Sequence, residues 1–297
     1  MPKVIGRPTT AKQKIFWSQK VQWPSDLDSI QLTPDLAVRK GNISSAEAST
    51  LLKAGEVTAS DLLPGRYEGG FKLWECALDL ARSLQLNAGA KATSQSLQGH
   101  KVIELGCGHG IPGIVALLAG AAVDFQDYNA EVLSRLTCPN VAANCTSSDQ
   151  AGTSTASAES CFPPEPSAAS DAHLGTSGKP PRRSTGPSTR FFAGDWAAMP
   201  SFLRSEGLVG TYDLVLSAET IYSQDSLRAL HDCILACLKR PHGQALIAAK
   251  VHYFGIELGG GVAAFTDLVH RLGTLSAHTM AEGMRLLLPP VERPLLL

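Results

Sequence analysis

Four glycines follow a short apolar run in the segment "IELGCGHGIPG", a pattern typical of a loop whose backbone lies directly against a ligand. Two kinds of nucleotide-binding loop match it in part. Gly108, Gly110 and Gly113 fit the G-x-G-x-x-G of dinucleotide enzymes. Gly106, Gly108 and Gly110, preceded by Glu104, fit the loop of an enzyme that binds a methyl donor. The residues at the neighbouring strand ends favour one of the two.

The first glycine of a dinucleotide fingerprint comes directly after the strand, but Gly108 comes two residues later. If the count starts at Gly106 instead, Ile111 occupies the position of the third glycine. S-adenosylmethionine needs bare backbone for its methionine part, a carboxylate for its ribose, and polar and flat apolar contacts for its adenine. Asp127 follows the second predicted strand and supplies the carboxylate. Asp195 and Trp196 follow the third and supply the adenine contacts. The pattern favours S-adenosylmethionine and leaves a dinucleotide oxidoreductase as a distant alternative.

Strand and helix patterns alternate from Lys101 onward, which predicts an α/β, Rossmann-like fold with a mostly parallel twisted sheet and helices on both faces. Ligands bind such sheets at the carboxyl ends of the strands. The predicted strands are 101–105, 123–127, 190–193, 212–217 and 244–250, and the predicted helices are 44–52, 73–86, 132–144 and 226–238.

Two segments stand apart from this alternation. Residues 1–43 are predicted to be a flexible basic segment, with an organelle transit peptide as a second interpretation that Pro2, Gly6 and Pro8 disfavour. Residues 146–189 consist mostly of Ser, Ala, Thr, Gly and Pro, which predicts a disordered insertion. The folded domain is therefore predicted to span residues 44–297, interrupted by this insertion.

Composition excludes several classes of protein. The chain has 297 residues, a formal net charge of −1 and seven cysteines, so neither a nucleic-acid partner nor a disulfide framework is expected. No apolar stretch is long enough for a membrane span, and a soluble intracellular monomer is expected. His231, Cys233, Cys237 and His242 could suggest zinc, but their spacing fits no common zinc module, and no metal is predicted.

Several motifs resemble the protein-histidine N-methyltransferase family, which are class I seven-strand S-adenosylmethionine enzymes of the [D/E]-x-x-Y group. The motifs are "LLPGRYEGGFKLWEC", "VIELGCGHGIPGI", "FQDYN", "LTCPNVAAN", "AGDW", "LVLSAETIY" and "AAKVHYFG". The resemblance covers roughly 61–144 and 190–265. The tail "MRLLLPPVERPLLL" departs from it, because its prolines disfavour the antiparallel strand pair that normally closes this sheet.

The resemblance implies which residues hold the methyl donor. These are Leu73, Trp74, Glu75, Cys76, Ala77, Gly106, Gln126, Asp127, Tyr128, Gly194, Asp195, Trp196 and Ser217. The pattern of the glycine loop adds Glu104, Gly108 and Gly110 to the expected contacts.

The resemblance also implies Glu219 and Tyr222 as the [D/E]-x-x-Y pair. Methyl transfer to histidine requires one tautomer of the ring, so Glu219 is expected either to accept from the imidazole N–H, directly or through water, or to be a structural acid on the cofactor side. Tyr222, His252 and Tyr253 are expected to shape the pocket. The implied substrate is a histidine of a large-subunit ribosomal protein, methylated in cytoplasm or nucleus. Two alternatives stay open: a protein-lysine methyltransferase of the same group, and a non-catalytic escort of ribosomal protein that keeps the cofactor fold.

Overall fold

The computed structural model describes residues 14–16, 27–52, 62–63, 65–87, 97–145, 189–251, 253, 260–281 and 284–289. The predicted insertion at 146–189 lies outside these ranges except for Thr189, which is buried. No helix within the described ranges is both long enough and apolar enough to cross a bilayer.

An eight-stranded sheet forms the centre of the molecule, and a separate two-stranded hairpin lies beside it. The strands are β1 Lys14–Phe16, β2 Leu27–Thr33, β3 Leu36–Gly41, β4 Lys101–Leu105, β5 Ala122–Asp127, β6 Arg190–Ala193, β7 Leu214–Ala218, β8 Gln244–Ala248, β9 Ser276–Ala281 and β10 Met284–Leu288. The helices are α1 Ser45–Leu51, α2 Glu75–Asn87, α3 Ile111–Leu118, α4 Ala130–Val132, α5 Cys138–Cys145, α6 Met199–Ser205, α7 Gln224–Cys237 and α8 Val262–Leu272, with a π-helical stretch at Leu133–Thr137 between α4 and α5.

Five strands of the main sheet run parallel, in the order β6-β5-β4-β7-β8, and β10 and β9 continue it in antiparallel pairing. This arrangement confirms the predicted Rossmann-like class I methyltransferase fold. The switch point lies at β4, where the chain order reverses, and the carboxyl ends of β4 to β7 meet there.

The central strands are buried on both faces, as expected for a covered parallel sheet. Alternate residues of β4 face opposite sides, so Val102 packs in one apolar core and Ile103 in the other. Leu80 of α2 and Ile114 of α3 belong to the first core, and Leu230 of α7 belongs to the second. The layered packing fixes the strand ends that carry the site.

The prediction that residues 1–43 are flexible is wrong for residues 27–41. Residues 27–41 form the β2–β3 hairpin, and Val38 of this hairpin is fully buried against the first core. Asn140 of α5 accepts a hydrogen bond from the Gly41 N–H at 2.7 Å. In addition, β1 pairs antiparallel with β6. The domain therefore begins before residue 44, because the alternating apolar residues of β2 and β3 provide a face that packs.

The C-terminal tail closes the sheet despite the prolines that disfavoured a strand pair there. Met284 of β10 pairs with Ala248 of β8, and Leu288 pairs with Ser276 of β9. Pro289 follows directly after the last residue of β10. The proline therefore ends the strand instead of interrupting its ladder.

Candidate functional site

A cavity opens at the carboxyl ends of β4 to β7, where the sequence predicted a ligand site. Predicted residues that line it are Leu73, Trp74, Ala77, Glu104, Gly106, Gly108, Asp127, Tyr128, Gly194, Asp195, Trp196, Glu219 and Tyr222. Lining residues that sequence reasoning missed are Glu68, Gly70, Lys72, Cys107, His109, Ile111, Ala218, Thr220 and Ser226. The first group comes from five separate strand ends and loops.

The glycine loop presents bare backbone to the cavity. Gly106 has φ +63°, and a Cβ there would lie 2.7 Å from the Thr220 side chain. Gly108 has φ +48°, and a Cβ there would lie 3.1 Å from the Gly70 carbonyl oxygen. Thr137, delivered by the π-helical stretch, donates a hydrogen bond to the Gly108 carbonyl at 2.6 Å and supports the loop from behind. Side chains are thus excluded on the cavity side, as a closely approaching ligand requires.

Asp127 lies in the cavity wall at the end of β5. Its Oδ2 accepts from the Gly108 N–H at 2.9 Å and its Oδ1 from the Asn129 N–H at 3.0 Å. Each oxygen retains a further lone pair, so the carboxylate can still accept from ribose hydroxyls. Burial raises the pKa of Asp127 to about 6, against the opposing effect of these backbone donors. Asp127 therefore connects the end of β5 to the glycine loop.

Gln126 lies behind the cavity wall and not in it. Its Oε1 accepts from the Trp196 indole N–H at 2.8 Å and from the Gly106 N–H at 3.2 Å. Its Nε2 donates to the Gly194 carbonyl at 2.8 Å. Because the side chain is fully buried and its amide is used for these contacts, Gln126 braces the two cavity-lining loops after β4 and β6 and does not itself line the cavity.

Four further predicted contacts also fall outside the cavity wall. Gly110 caps the start of α3 with its α-carbon facing Thr137 and Phe125. Ser217 is fully buried and donates to the Leu105 carbonyl at 3.0 Å. Glu75 is largely exposed and pairs with Lys250 at 3.4 Å, and Cys76 is half-buried. The sequence places these side chains on the right elements but does not determine which way they face.

The loop before α2 forms another part of the cavity wall. Gly65 donates to Glu68 at 2.9 Å, and Tyr128 donates to the Gly65 carbonyl at 2.9 Å. Tyr222 donates a hydrogen bond to Glu68 and so connects this loop with the one after β7. The glycine-rich sequence "PGRYEGGFK" indicated a loop, but its position over the cavity depends on these long-range contacts.

Glu219 is the only non-glycine residue in the described part of the chain with a positive φ, at 56°. Tyr253 donates to its Oε2 at 2.6 Å. The other oxygen, Oε1, is buried and has no hydrogen-bond partner among the described residues. A strained backbone and an unpaired buried acceptor in a cavity wall are both features of functional sites.

Three of the four residues considered for zinc belong to the core, and the fourth, His242, is exposed. His231 contacts Asp232 through Nδ1 and Thr274 through Nε2, both at 2.9 Å, and Cys233 and Cys237 are fully buried in the second core. No group of three or more His, Cys, Asp or Glu in the described ranges could hold a metal ion.

The chain matches a family model described as lysine methyltransferase over residues 65–156, which includes the glycine loop and Asp127. Histidine protein methyltransferase 1 homolog of Rattus norvegicus is 39% identical over 235 residues, covering 76% of this chain and 57% of the rat protein. Histidine protein methyltransferase 1 of Schizosaccharomyces pombe is 30% identical over 284 residues, covering 91% of this chain and 72% of the yeast protein. This chain belongs to the histidine protein methyltransferase 1 family.

Membership of the histidine protein methyltransferase 1 family confirms the resemblance inferred from the motifs. The chain spans a little more than half the length of the mammalian relatives that it matches. Among solved structures, an S-adenosyl-L-methionine-dependent methyltransferase of Methanococcus maripaludis is 11% identical, with a TM-score of 0.44 and coverage of 74% of this chain and 90% of its own.

Proposed function

We propose that this chain is an S-adenosylmethionine-dependent protein-histidine N-methyltransferase. Its family and the cavity together support this proposal. Gly106 and Gly108 would contact the methionine part of the donor, Asp127 its ribose, and Trp196 its adenine. The donor supplies an electrophilic methyl group on a sulfonium, and the chain's own residues must hold the nucleophile in line with it.

The observation that carries the proposal is that Oε1 of Glu219 has no hydrogen-bond partner among the described residues. A neutral imidazole has one bare nitrogen, which can attack, and one N–H, which needs an acceptor. Oε1 of Glu219 is such an acceptor, because Tyr253 occupies only Oε2. An imidazole bound in this way would have one tautomer and one orientation, with its bare nitrogen directed away from the carboxylate.

The same carboxylate fits a lysine substrate less well. Lysine has an unperturbed pKa near ~10.4 and must lose a proton before it attacks, whereas histidine, near ~6.5, is largely neutral at physiological pH. A neighbouring carboxylate stabilises the ammonium form and raises the lysine pKa further. The description of the matching family model nevertheless makes a lysine methyltransferase the second candidate.

The substrate we propose is a histidine of a large-subunit ribosomal protein, methylated in cytoplasm or nucleus. The motifs "YEGGFKLWEC" and "FQDYN" support it through the family resemblance.

The test is methyl transfer from labelled S-adenosylmethionine to a ribosomal extract, followed by total hydrolysis and amino-acid analysis. We expect label in methylhistidine, and Glu219→Gln should reduce it while S-adenosylhomocysteine still binds. Label in methyllysine would contradict the proposal in favour of the second candidate. Binding of S-adenosylhomocysteine without any transfer would favour the non-catalytic escort.

A further inference from the structure

His109 lies between the second and third glycines of the loop, lines the cavity and is buried, yet nothing in the proposed reaction uses it. Its Nε2 lies 3.1 Å from the Phe71 carbonyl oxygen. Because a carbonyl oxygen can only accept, Nε2 must carry the proton and Nδ1 must be bare. Nδ1 is buried and has no hydrogen-bond partner in the described part of the chain.

The ring is also neutral. Burial lowers the pKa of His109 to about 4, although the Phe71 carbonyl opposes this effect. His109 therefore offers a lone pair and no charge over the physiological range of pH. An unpaired buried acceptor costs free energy of folding, so its retention beside a cavity points to a ligand that pairs with it.

The ligand group must be a hydrogen-bond donor, since a bare nitrogen repels carboxylate or phosphate oxygens. S-adenosylmethionine carries donors at three places: its α-ammonium group, its ribose hydroxyls and its adenine amino group. The ribose and adenine fall to Asp127 and Trp196 at the ends of β5 and β6, as argued above. The glycine loop that contains His109 adjoins the methionine part, whose donor is the α-ammonium group.

We propose that His109 binds the α-ammonium group of the methyl donor through Nδ1, an inference that rests on the proposed methyl-donor site. Phe71 holds the ring from behind through Nε2, and Asn140 fixes the backbone by donating to the His109 carbonyl at 2.9 Å. Because Nδ1 is buried, the loop that carries Gly70 and Phe71 must shift slightly when the donor enters. His109 is then a positioning residue for the methionine part.

Calorimetric titration with two ligands tests this assignment. S-adenosylhomocysteine retains the α-ammonium group and cannot react, and its deaminated analogue carries hydrogen in place of that group. In His109→Phe we expect affinity for S-adenosylhomocysteine to fall about tenfold or more, since a hydrogen bond to a charged group is lost. Affinity for the deaminated analogue should change less than about threefold.

Thr137→Val is the matched control, because it removes the bond to the Gly108 carbonyl and loosens the same loop without removing the ring. It should weaken both ligands by the same factor. Equal weakening of both ligands in His109→Phe would overturn the proposal, and so would no weakening of either. If wild type binds neither ligand, the methyl-donor site itself is wrong, which is a distinct failure.

Nuclear magnetic resonance of the wild type keeps the proposal testable if His109→Phe does not fold. With ¹⁵N-labelled histidine, the bare ring nitrogen of the neutral, Nε2-protonated residue should move upfield on addition of S-adenosylhomocysteine, as a nitrogen that accepts a hydrogen bond does. The deaminated analogue should leave it in place. The same movement with both ligands, or none with either, would overturn the proposal.

Discussion

Tyr253 orients the Glu219 carboxylate by donating a hydrogen bond of 2.6 Å to its Oε2. In Tyr253→Phe this donor is lost, and Oε2 is left unpaired while the carboxylate gains rotational freedom. We expect kcat on the protein substrate to fall about tenfold, because one hydrogen bond is worth about 1 kcal/mol or somewhat more when an ion is involved. Affinity for S-adenosylhomocysteine, measured by calorimetry, should stay within about twofold.

Tyr212→Phe is the control for the Tyr253 variant. Its hydroxyl donates to Asp124 at 2.7 Å, in a buried cluster away from the cavity-lining residues. Its loss should lower the melting temperature and leave kcat of the folded protein unchanged. An unaltered kcat in Tyr253→Phe would show that Glu219 does not depend on this contact.

Glu104 gives a pH dependence of stability with a definite sign. Burial raises its pKa to about 8 from an ordinary 4.5, although the Gly113 N–H opposes this effect. Between these values the folded protein holds a proton that the unfolded chain releases, so stability falls as pH rises from 4.5 towards 8. Asp127, with its pKa raised from 3.8 to about 6, contributes in the same direction at lower pH.

Glu104→Gln should therefore flatten this pH dependence, since it keeps an acceptor for Gly113 and cannot ionise. Without cofactor, the variant should melt a few degrees above wild type at pH 8 and close to it at pH 5. Thermal unfolding at both pH values measures the difference. A variant that melts below wild type at pH 8 would contradict the raised pKa.

Asn140 links two elements, the β2–β3 hairpin and the glycine loop. Its Oδ1 accepts from Gly41 and its Nδ2 donates to the His109 carbonyl, and the side chain is fully buried. In Asn140→Ala both backbone groups lose their partner in a buried place, which should lower the free energy of unfolding by about 2 kcal/mol or more. Chemical denaturation of the whole chain measures this change.

Asn144 provides the comparison on the same helix. It exchanges two hydrogen bonds with the Arg39 backbone of the hairpin at 2.9 and 2.7 Å, but in an exposed position where water can replace them. Asn144→Ala should therefore cost less than about 1 kcal/mol. Equal losses of unfolding free energy in Asn140→Ala and Asn144→Ala would mean that the buried link from the hairpin through Asn140 to the glycine loop adds no stability.

The elements that could be predicted from the sequence are those with strong local patterns. β4 is apolar and ends at the glycine loop, and its predicted bounds, 101–105, agree with the structure. The β9 strand, "SAHTMA", lacks a comparable pattern because it is the outer edge of the sheet. Only its pairing with β10 makes it a strand, and no local pattern reveals that contact.

The site illustrates the same limit. Gln126 and Asp127 are adjacent at the end of β5, and the sequence predicted both as cofactor contacts. In the folded chain Asp127 faces the cavity, whereas Gln126 braces the loops behind it. The sequence did not identify His109, because a histidine within a glycine loop does not by itself indicate a binding role. The carbonyl that fixes its tautomer belongs to Phe71, 38 positions away in sequence.

At the scale of the whole molecule, the central claim is that an imidazole held by Glu219 attacks as the neutral base. The single-turnover rate with saturating donor and protein substrate, measured from pH 5 to 9, tests this most directly. We expect a tenfold rise per pH unit below about 6 and a plateau reached by about pH 8, because the unperturbed histidine pKa is ~6.5 and the Glu219 carboxylate raises it. In Glu219→Gln the plateau should be lower and begin at lower pH, since the imidazolium loses its counter-charge. A wild-type rate that still climbs steeply between pH 8 and 9 would contradict the account and indicate lysine as the nucleophile.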